Sequence, residues 1–395
     1  MSDGAGRSPG VDRPIRVLHV ITRMIVGGAQ ENTMLSCALI DPARFPSETI
    51  SGPETGPEGS LHDECRRRGV RLVLEPSLVR RVHPWNDLVA LVRLTRFIRR
   101  GRYDVVHTHA SKAGILGRVA ARLAGTRRVI HTVHGWPFSR EEGAIVHGTW
   151  IWLERACARL CDALVVVADR DRERGLALGV GRAEQYRLIR SGIEVEAYRD
   201  VAVDRATMRA RLGLPGEAFV VGTVGRLGRQ KAPLDLLAAF ERLARERGDA
   251  HLVLVGDGPQ REEVVAAIAR AGLEGRVHLL GLRRDVPELL RAFDVFALAS
   301  HWEGLPRVFP QAMAAGLPIV ATRVDGAPEA IAPGENGWLV DVGDMEAMGG
   351  RLIELAADPA LARRMGDAGR ARVEAFSARR MVDQLAELYA AGGAR

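Results

Sequence analysis

The sequence predicts an α/β chain of two doubly wound parallel sheets, each its own domain. Three observations carry this. Short β-branched runs alternate with longer amphipathic stretches, the pattern of strands buried on both faces between covering helices. The alternation occurs as two series, parted by a stretch of unclear period at residues 194–207. Finally, 395 residues exceed what one hydrophobic core organises.

In the first series "IRVLHVI" (15–21), "RLVLE" (71–75), "DVVHTH" (104–109), "RRVIHTVH" (127–134) and "DALVVVA" (162–168) read as strands. Helical patterns occupy 29–40, 85–100, 111–124 and 142–161. The second series runs "FVVGTVG" (219–225), "HLVLVG" (251–256), "RVHLLG" (276–281), "DVFALAS" (294–300), "PIVAT" (318–322) and "GWLVD" (337–341), and Ala-, Arg- and Leu-rich helices from about 344 to 391 close the chain. The expected division is a disordered polar leader at 1–14, a Rossmann-like domain at 15–200, a second at 201–377, and a terminal helix at 378–395.

Composition narrows the function. Hydrophobic residues make up 47% and charged residues 27%, as in a soluble globular protein, and no run of about 18 apolar residues could span a bilayer. The four cysteines (Cys37, Cys65, Cys157, Cys161) lack paired metal-ligand spacing, so a reduced, cytoplasmic setting is expected. A net charge of +7 suits anionic substrates or lipid surfaces. Without aromatic residues interleaved in a basic patch, nucleic acid is not an expected partner. Arginine supplies nearly all the positive charge; the lysines are Lys112 and Lys231, and both sit inside motifs.

In open parallel sheets ligands bind beyond the carboxyl ends of the strands, and the motifs fall in those loops. "VITRMIVGGAQEN" places Gly27 and Gly28 before a helix, where backbone can approach a ligand closely, although the spacing is not a dinucleotide fingerprint. "HTHASKAG" and "HTVHGWPF" carry His107, His109, Lys112, His131 and His134. Strand alternation puts His107 and His109 on one side, a start for a zinc site, but no Asp, Glu or Cys in the adjacent loops completes the set. His107 and His131 are therefore strand residues, and no metal is expected. His134, before Gly135 at a strand tip, is placed to touch a substrate hydroxyl or stabilise a leaving group. Lys112 can meet an anionic acceptor or pair with a carboxylate, and His109 joins it as a secondary candidate.

"VGRLGRQKAPLDLL" (224–237) sets Arg226 and Lys231 five residues apart before a helix, where a forked guanidinium and a point-charge ammonium can converge on a diphosphate. "VGDGPQR" (255–261), with Asp257, is another strand–glycine–helix turn. In "EGLPRVFPQA" (303–312), Pro310 is tolerated only in a first helical turn, so the helix should start near Arg307. That start leaves Gly304, Leu305 and residues 307–309 to offer amides to phosphate. Glu303 stands outside the phosphate site as an acceptor for sugar hydroxyls, and Gln311 lies about one turn into the helix.

With "SGIE" (191–194), "GDGP" and "EGLPRVFPQAMAAGLPIVAT", these motifs follow one another in the order found in family-4 retaining glycosyltransferases of the GT-B fold, which the chain resembles from about residue 15 to 330. The "SKAG…HTVHGW" pair is similar to transferases of surface-polysaccharide assembly. The resemblance implies two Rossmann-like domains facing a cleft, with the last helix returning to the first. It implies that Arg226 and Lys231 hold the donor diphosphate, that Gly28 closes against it, that Glu303 binds the transferred sugar, and that His134 sits near its C6 and the reaction centre. It also implies a nucleoside-diphosphate sugar as donor, no cofactor or metal, and a departing phosphate oxygen that deprotonates the acceptor on the same face.

Two positions depart from the family pattern. Gln311 replaces a second Glu that accepts from ribose hydroxyls, which should weaken donor binding by at most about 1–2 kcal/mol. Ser191 and Glu194 replace the Asn and Asp of "NGID". Alternatives are a GT-B nucleotide-sugar epimerase, which needs acid/base carboxylates that the motifs do not show, and a silent nucleotide-sugar-binding protein. The stretch 78–102 interleaves apolar residues and Trp85 with Arg, a pattern suited to an anionic membrane surface and to a lipid-linked glycan acceptor.

Overall fold

Strand-length runs of branched side chains become strands in both series. A computed structural model of the chain describes residues 13–54, 59–136 and 143–391. The leader expected at 1–14 lies outside it except for the last two residues; Arg13 is paired with Asp104. The first series gives β1 (Val17–Arg23), β2 (Ser47–Gly52), β3 (Arg71–Leu74), β4 (Val105–His109), β5 (Arg128–Val133), β6 (Ala163–Val166) and β7 (Tyr186–Leu188). They form one sheet in the order β3-β2-β1-β4-β5-β6-β7. The second series gives β8 (Phe219–Val224), β9 (Ala250–Val255), β10 (Val277–Gly281), β11 (Val295–Leu298), β12 (Ile319–Thr322) and β13 (Gly337–Val340), ordered β10-β9-β8-β11-β12-β13. The pairs around β1 and around β8 are parallel in each case.

β2 and β7 do not stand out in the sequence. "SETISG" has no apolar run, yet Glu48, Thr49 and Ser51 are buried, and the Tyr103 hydroxyl donates to Glu48. β7 spans only three residues. The stretch 194–207 is not a plain linker. It contains the helix Val195–Arg199 and enters the helix Arg205–Arg211, whose first turn is capped by Asp204 accepting from Thr207 N at 2.7 Å.

The chain packs as two compact units. The first takes the chain through Thr132, then Trp152–Leu164 and the segment from Val382; the second takes Val133–Ile151 and Val165–Met381. Residues 165–200, placed with the first domain on sequence, thus pack with the second unit. Two backbone bonds show why: Ile193 N donates to Phe376 O at 2.9 Å and Ala378 N to Ile193 O at 2.7 Å. Val167, Ile193 and Val195 also enter the second unit's core. The helix Ala378–Ala390 begins in the second unit, and its later turns belong to the first, where the Tyr389 hydroxyl lies 2.7 Å from His107 Nδ1.

Alternation along each strand sorts successive side chains into layers. In the second unit Val220, Val253, Phe296 and Leu298 pack on one face of the sheet with Phe309 and Met313. Phe219, Val221, Leu252 and Leu254 pack on the other with Leu236, Phe240 and Leu352. In the first unit Leu18, Val20 and Val106 pack against Leu94 and Ile98 of the helix Pro84–Gly101 and against Ala120 and Ala121 of the helix Ser111–Leu123. With both faces covered, the loops after the strands remain for chemistry.

Candidate active site

The loop after β8 is built by the motifs on either side of it. Gly225 N donates to Val255 O at 2.9 Å, Leu227 N to Asp257 O at 3.0 Å, and Gln260 N to Leu227 O at 3.0 Å. The "GDGP" turn is therefore the brace of the "GRLGRQK" loop. Gly256 has φ +136°, and a Cβ there would stand 2.0 Å from Gly225 O, so the contact requires glycine. Lys231 N turns back to Gly228 O at 2.9 Å, which lays the Lys231 side chain across Gly225. Arg226, exposed, and Lys231 border one small recess with Thr223 and Pro233.

Lys231 reaches directly into the second motif. Its Nζ lies 2.5 Å from Glu303 Oε1, which also accepts from Ser300 Oγ at 2.8 Å. Gln230 laces the two loops together. It accepts from His301 N at 2.8 Å and donates through Nε2 to Trp302 O at 3.1 Å. From the other side Asp325 Oδ2 accepts from Glu303 N at 3.1 Å, and Gly326 N donates to Gly304 O at 2.9 Å. A Cβ on Gly326 would meet that carbonyl at 2.5 Å. The carboxylate is thus held by its own backbone as well as by its ionic partner.

The helix Val308–Ala315 begins where Pro310 requires, with Arg307 at its N-cap. Its amides are less open than expected: Phe309 N already donates to Pro306 O at 3.1 Å. This turn closes over the proline and consumes an amide expected to face phosphate. Leu305 is a core residue, and Gln311 is buried in the first turn. Arg307 Nη2 donates to Gly192 O at 3.0 Å, which ties the "SGIE" segment to the same helix start.

His134 follows β5, and its chain continues into the second unit. A Cβ on Gly304 would lie 3.1 Å from the His134 carbonyl, so His134 and the Glu303 loop are neighbours. Desolvation, aided by the Arg307 cation, pulls the His134 imidazole from 6.5 down to about 3. It is neutral near pH 7, fit to donate or accept one hydrogen bond but not to supply charge.

The remaining candidates belong to the first unit. Gly27 is the N-cap of the helix Gly28–Ala38 with an extended φ of 177°; within this unit only the mobile end of Gln30 opposes a Cβ there. Lys112 is committed to structure: its Nζ meets Asp87 and the Arg81 carbonyl, each at 2.5 Å, and its side chain is 10% exposed. The pairing option, and not the acceptor option, holds for Lys112 in this structure. His109 is buried, with Nε2 2.9 Å from His19 Nδ1, and so is turned away from any solvent-borne acceptor.

Sequence spacing missed His19 because the third histidine comes from β1, where it sits in register with His107 of β4. Nitrogens of His19, His107 and His109 lie within 4.8 Å of one another, a distance a metal could bridge. However, His107 is engaged at both nitrogens, by Tyr389 Oη at 2.7 Å and Thr132 Oγ1 at 2.6 Å, and burial lowers His19 to about 3. The cluster is a hydrogen-bonded core. Gln230, Ser300 and Asp325 were also missed, since each acts through a loop distant in sequence. One further group has no sequence signal: Asp171, buried, with Oδ2 unpaired, is pushed up to about 7 by desolvation and by the Asp325 anion.

Together these residues offer a cation pair for phosphate, a fixed carboxylate for hydroxyls, and a neutral imidazole beside it. Comparisons with known proteins agree with this chemistry. The family model described as "Glycosyl transferases group 1" matches residues 204–372, and "Glycosyltransferase Family 4" matches residues 51–197. The chain is 30% identical over 379 residues to the Escherichia coli UDP-Gal:alpha-D-GlcNAc-diphosphoundecaprenol alpha-1,3-galactosyltransferase, covering 95% of this chain and 96% of that one. Alpha-maltose-1-phosphate synthase of Mycolicibacterium smegmatis is 33% identical over 310 residues, or 72% and 78% of the two chains. Among solved structures, Anabaena Alr3699/HepE in complex with UDP and glucose matches with a TM-score of 0.83 at 22% identity, covering 95% and 99%, which establishes the shared fold.

Proposed function

The chain belongs to the family-4 glycosyltransferases with the GT-B fold, and from that premise we propose a retaining, metal-independent enzyme. It moves a sugar from a nucleoside-diphosphate sugar to a lipid-linked glycan in the assembly of a cell-surface polysaccharide. The observation that carries the reading is the 2.5 Å contact between Lys231 and Glu303. It joins a phosphate-binding ammonium to a hydroxyl-accepting carboxylate, as a site for a sugar attached to a diphosphate needs. In this reading Arg226 and Lys231 balance the charge that grows on the leaving diphosphate. Glu303 orients the sugar ring, and neutral His134 hydrogen-bonds it without adding a competing cation. The leaving phosphate oxygen takes the acceptor proton on the same face, so no protein nucleophile enters. The lipid-linked acceptor is supported by the acceptor in the E. coli relative's name.

The test is a panel of UDP- and GDP-sugars incubated with undecaprenol-linked acceptors, read by released nucleoside diphosphate and by the product's anomeric configuration, with and without a chelator. Transfer with retained configuration in the chelator supports the reading. Inverted product, or activity abolished by chelation and restored by a divalent ion, refutes the corresponding part. Donor converted to an epimer in the absence of acceptor would favour an epimerase.

A peripheral membrane location on the cytoplasmic face has its own support. The helix Pro84–Gly101 buries Ala90, Leu94 and Ile98 but leaves Trp85 68%, Leu88 50% and Val92 40% exposed, flanked by exposed Arg93, Arg96 and Arg100. Lys112 and Asp87 fasten its first turn. Apolar residues edged by arginines fit an anionic interface. Among the described residues no helix is long and apolar enough to cross a membrane. Co-sedimentation with anionic but not neutral vesicles is expected, reduced in Trp85→Ala; equal binding to both would overturn the docking.

A further inference from the structure

The first unit contains a second basic recess, at the opposite edge of its sheet from His109. It lies where the chain enters β4 and β5, and its volume is about 280 Å³. Arg13, Arg99, Arg102 and Arg127 line it, with Asp104 and Thr126. Local geometry explains how these residues meet. The helix Pro84–Gly101 stops at Arg102, in the left-handed conformation at φ 48°, and the helix Ser111–Leu123 is followed by Gly125 at φ 79°. Two chain reversals therefore deliver their arginines to one place.

The charge in the recess is not cancelled. Asp104 is occupied: Arg13 holds one carboxylate oxygen and Arg16 N donates to the other at 2.9 Å. The carbonyl ends of the two helices each contribute roughly half a negative charge, and Arg99 Nη2 covers one of them by donating to Leu123 O at 2.7 Å. A guanidinium carries five donors, so this bond leaves Arg99 able to grip an anion as well. Four cations against one carboxylate and two dipole ends leave a net positive recess. A second, independent feature lies within it. Thr126 is 6% exposed, and its hydroxyl has no hydrogen-bond partner in the protein. A buried hydroxyl without a partner is costly unless something fills the recess and receives its proton.

We propose that this recess binds a phosphate group, separate from the donor site. Forked guanidiniums at Arg99, Arg102 and Arg127 match phosphate oxygens, and the Thr126 hydroxyl donates the bond that selects an oxyanion over a spherical ion. The volume admits inorganic pyrophosphate or an anionic lipid headgroup, which share this chemistry.

The experiment is calorimetric titration of the full chain with pyrophosphate. The donor site is silenced by Lys231→Ala so that only the recess responds. A saturable site is expected to survive Lys231→Ala, to weaken at least about tenfold on adding Arg102→Gln with Arg127→Gln, and to weaken severalfold on adding Thr126→Val, whose shape is conserved. In an otherwise wild-type chain, Arg102→Gln with Arg127→Gln should leave nucleotide-sugar binding unchanged. If the double replacement unfolds the unit, Thr126→Val alone decides. No saturable binding in Lys231→Ala, or binding indifferent to the recess replacements (an adventitious ion only), overturns the proposal. Phosphatidylglycerol vesicles then identify the source. Vesicle binding that pyrophosphate and the recess replacements both abolish assigns the site to a headgroup. Vesicle binding that neither affects, beside recess-dependent pyrophosphate binding, assigns it to soluble phosphate.

Discussion

Replacing Lys231 by alanine acts on folding and on catalysis through the same atom. In the free protein its ammonium sits 2.5 Å from Glu303, with side chains 21% and 9% exposed. Removing one partner of a fully buried pair costs about 3–5 kcal/mol, and an exposed pair is worth about 0–1. An ammonium still partly open to water puts the loss between these, about 1–3 kcal/mol. The Ser300 hydroxyl at 2.8 Å remains on the carboxylate and keeps the cost toward the lower end. For a domain of about 150–250 residues this lowers Tm by roughly 2–4 °C per kcal/mol. Turnover falls further, because a charge-assisted bond to phosphate, about 1.5–3 kcal/mol, is lost as well; this is roughly 10–150-fold in kcat/KM. The assay pairs thermal unfolding with nucleoside-diphosphate release for Lys231→Ala, Glu303→Gln and the double variant. The neutral amide relieves the unpaired charge, so the double variant should melt above Lys231→Ala although its turnover is not recovered. A Lys231→Ala enzyme within about twofold of the parent in kcat/KM would refute the assignment. Strict additivity of the two Tm losses would refute the pairing.

Other outcomes follow from the same geometry. Gly256→Ala should destabilise by about 2 kcal/mol or more in a denaturant titration, since positive φ and the Gly225 carbonyl 2.0 Å away both oppose a Cβ; a change under about 0.5 kcal/mol would contradict the brace. Asp171 has its folded pKa raised to about 7, so its stability contribution is full below about 4, the unfolded value, and declines as pH rises to about 7. Asp171→Asn should therefore stabilise the protein at pH 8 while changing little at pH 4; equal effects at both would exclude a buried neutral carboxyl. His134, lowered to about 3, is neutral in both states above pH 6.5 and loses stability only as pH falls from there toward 3. Accordingly kcat should show no limb near 6.5 that His134→Gln removes, and His134→Gln should retain more turnover than His134→Ala. Gln311→Glu should leave transfer equal or improved; a large loss would show that the amide has its own role.

The two series of strands and the order of their motifs were legible because burial on both faces imposes a continuous branched pattern, and glycine and proline mark turns wherever they fall. Pro310 located a helix start to within a residue. β2 escaped notice because its buried side chains are polar and satisfied only by distant partners such as Tyr103. Glu303 and Lys231 could each be picked out by residue type and loop position. Nothing in their separation announced that they touch.

By itself, then, the sequence determined the fold class, the loops that carry chemistry, and the types of group offered there, since these follow from periodicity and local backbone rules. Only the tertiary structure decided which group is committed to what. It joined Lys231 to Glu303, spent Lys112 on Asp87, closed the Phe309 amide onto Pro306, and gathered His19 with His107 and His109. It also turned an isolated threonine and scattered arginines into a recess. Protonation and pairing depend on what lies within a few ångströms, and packing, which sets those neighbours, is not a local property of the chain.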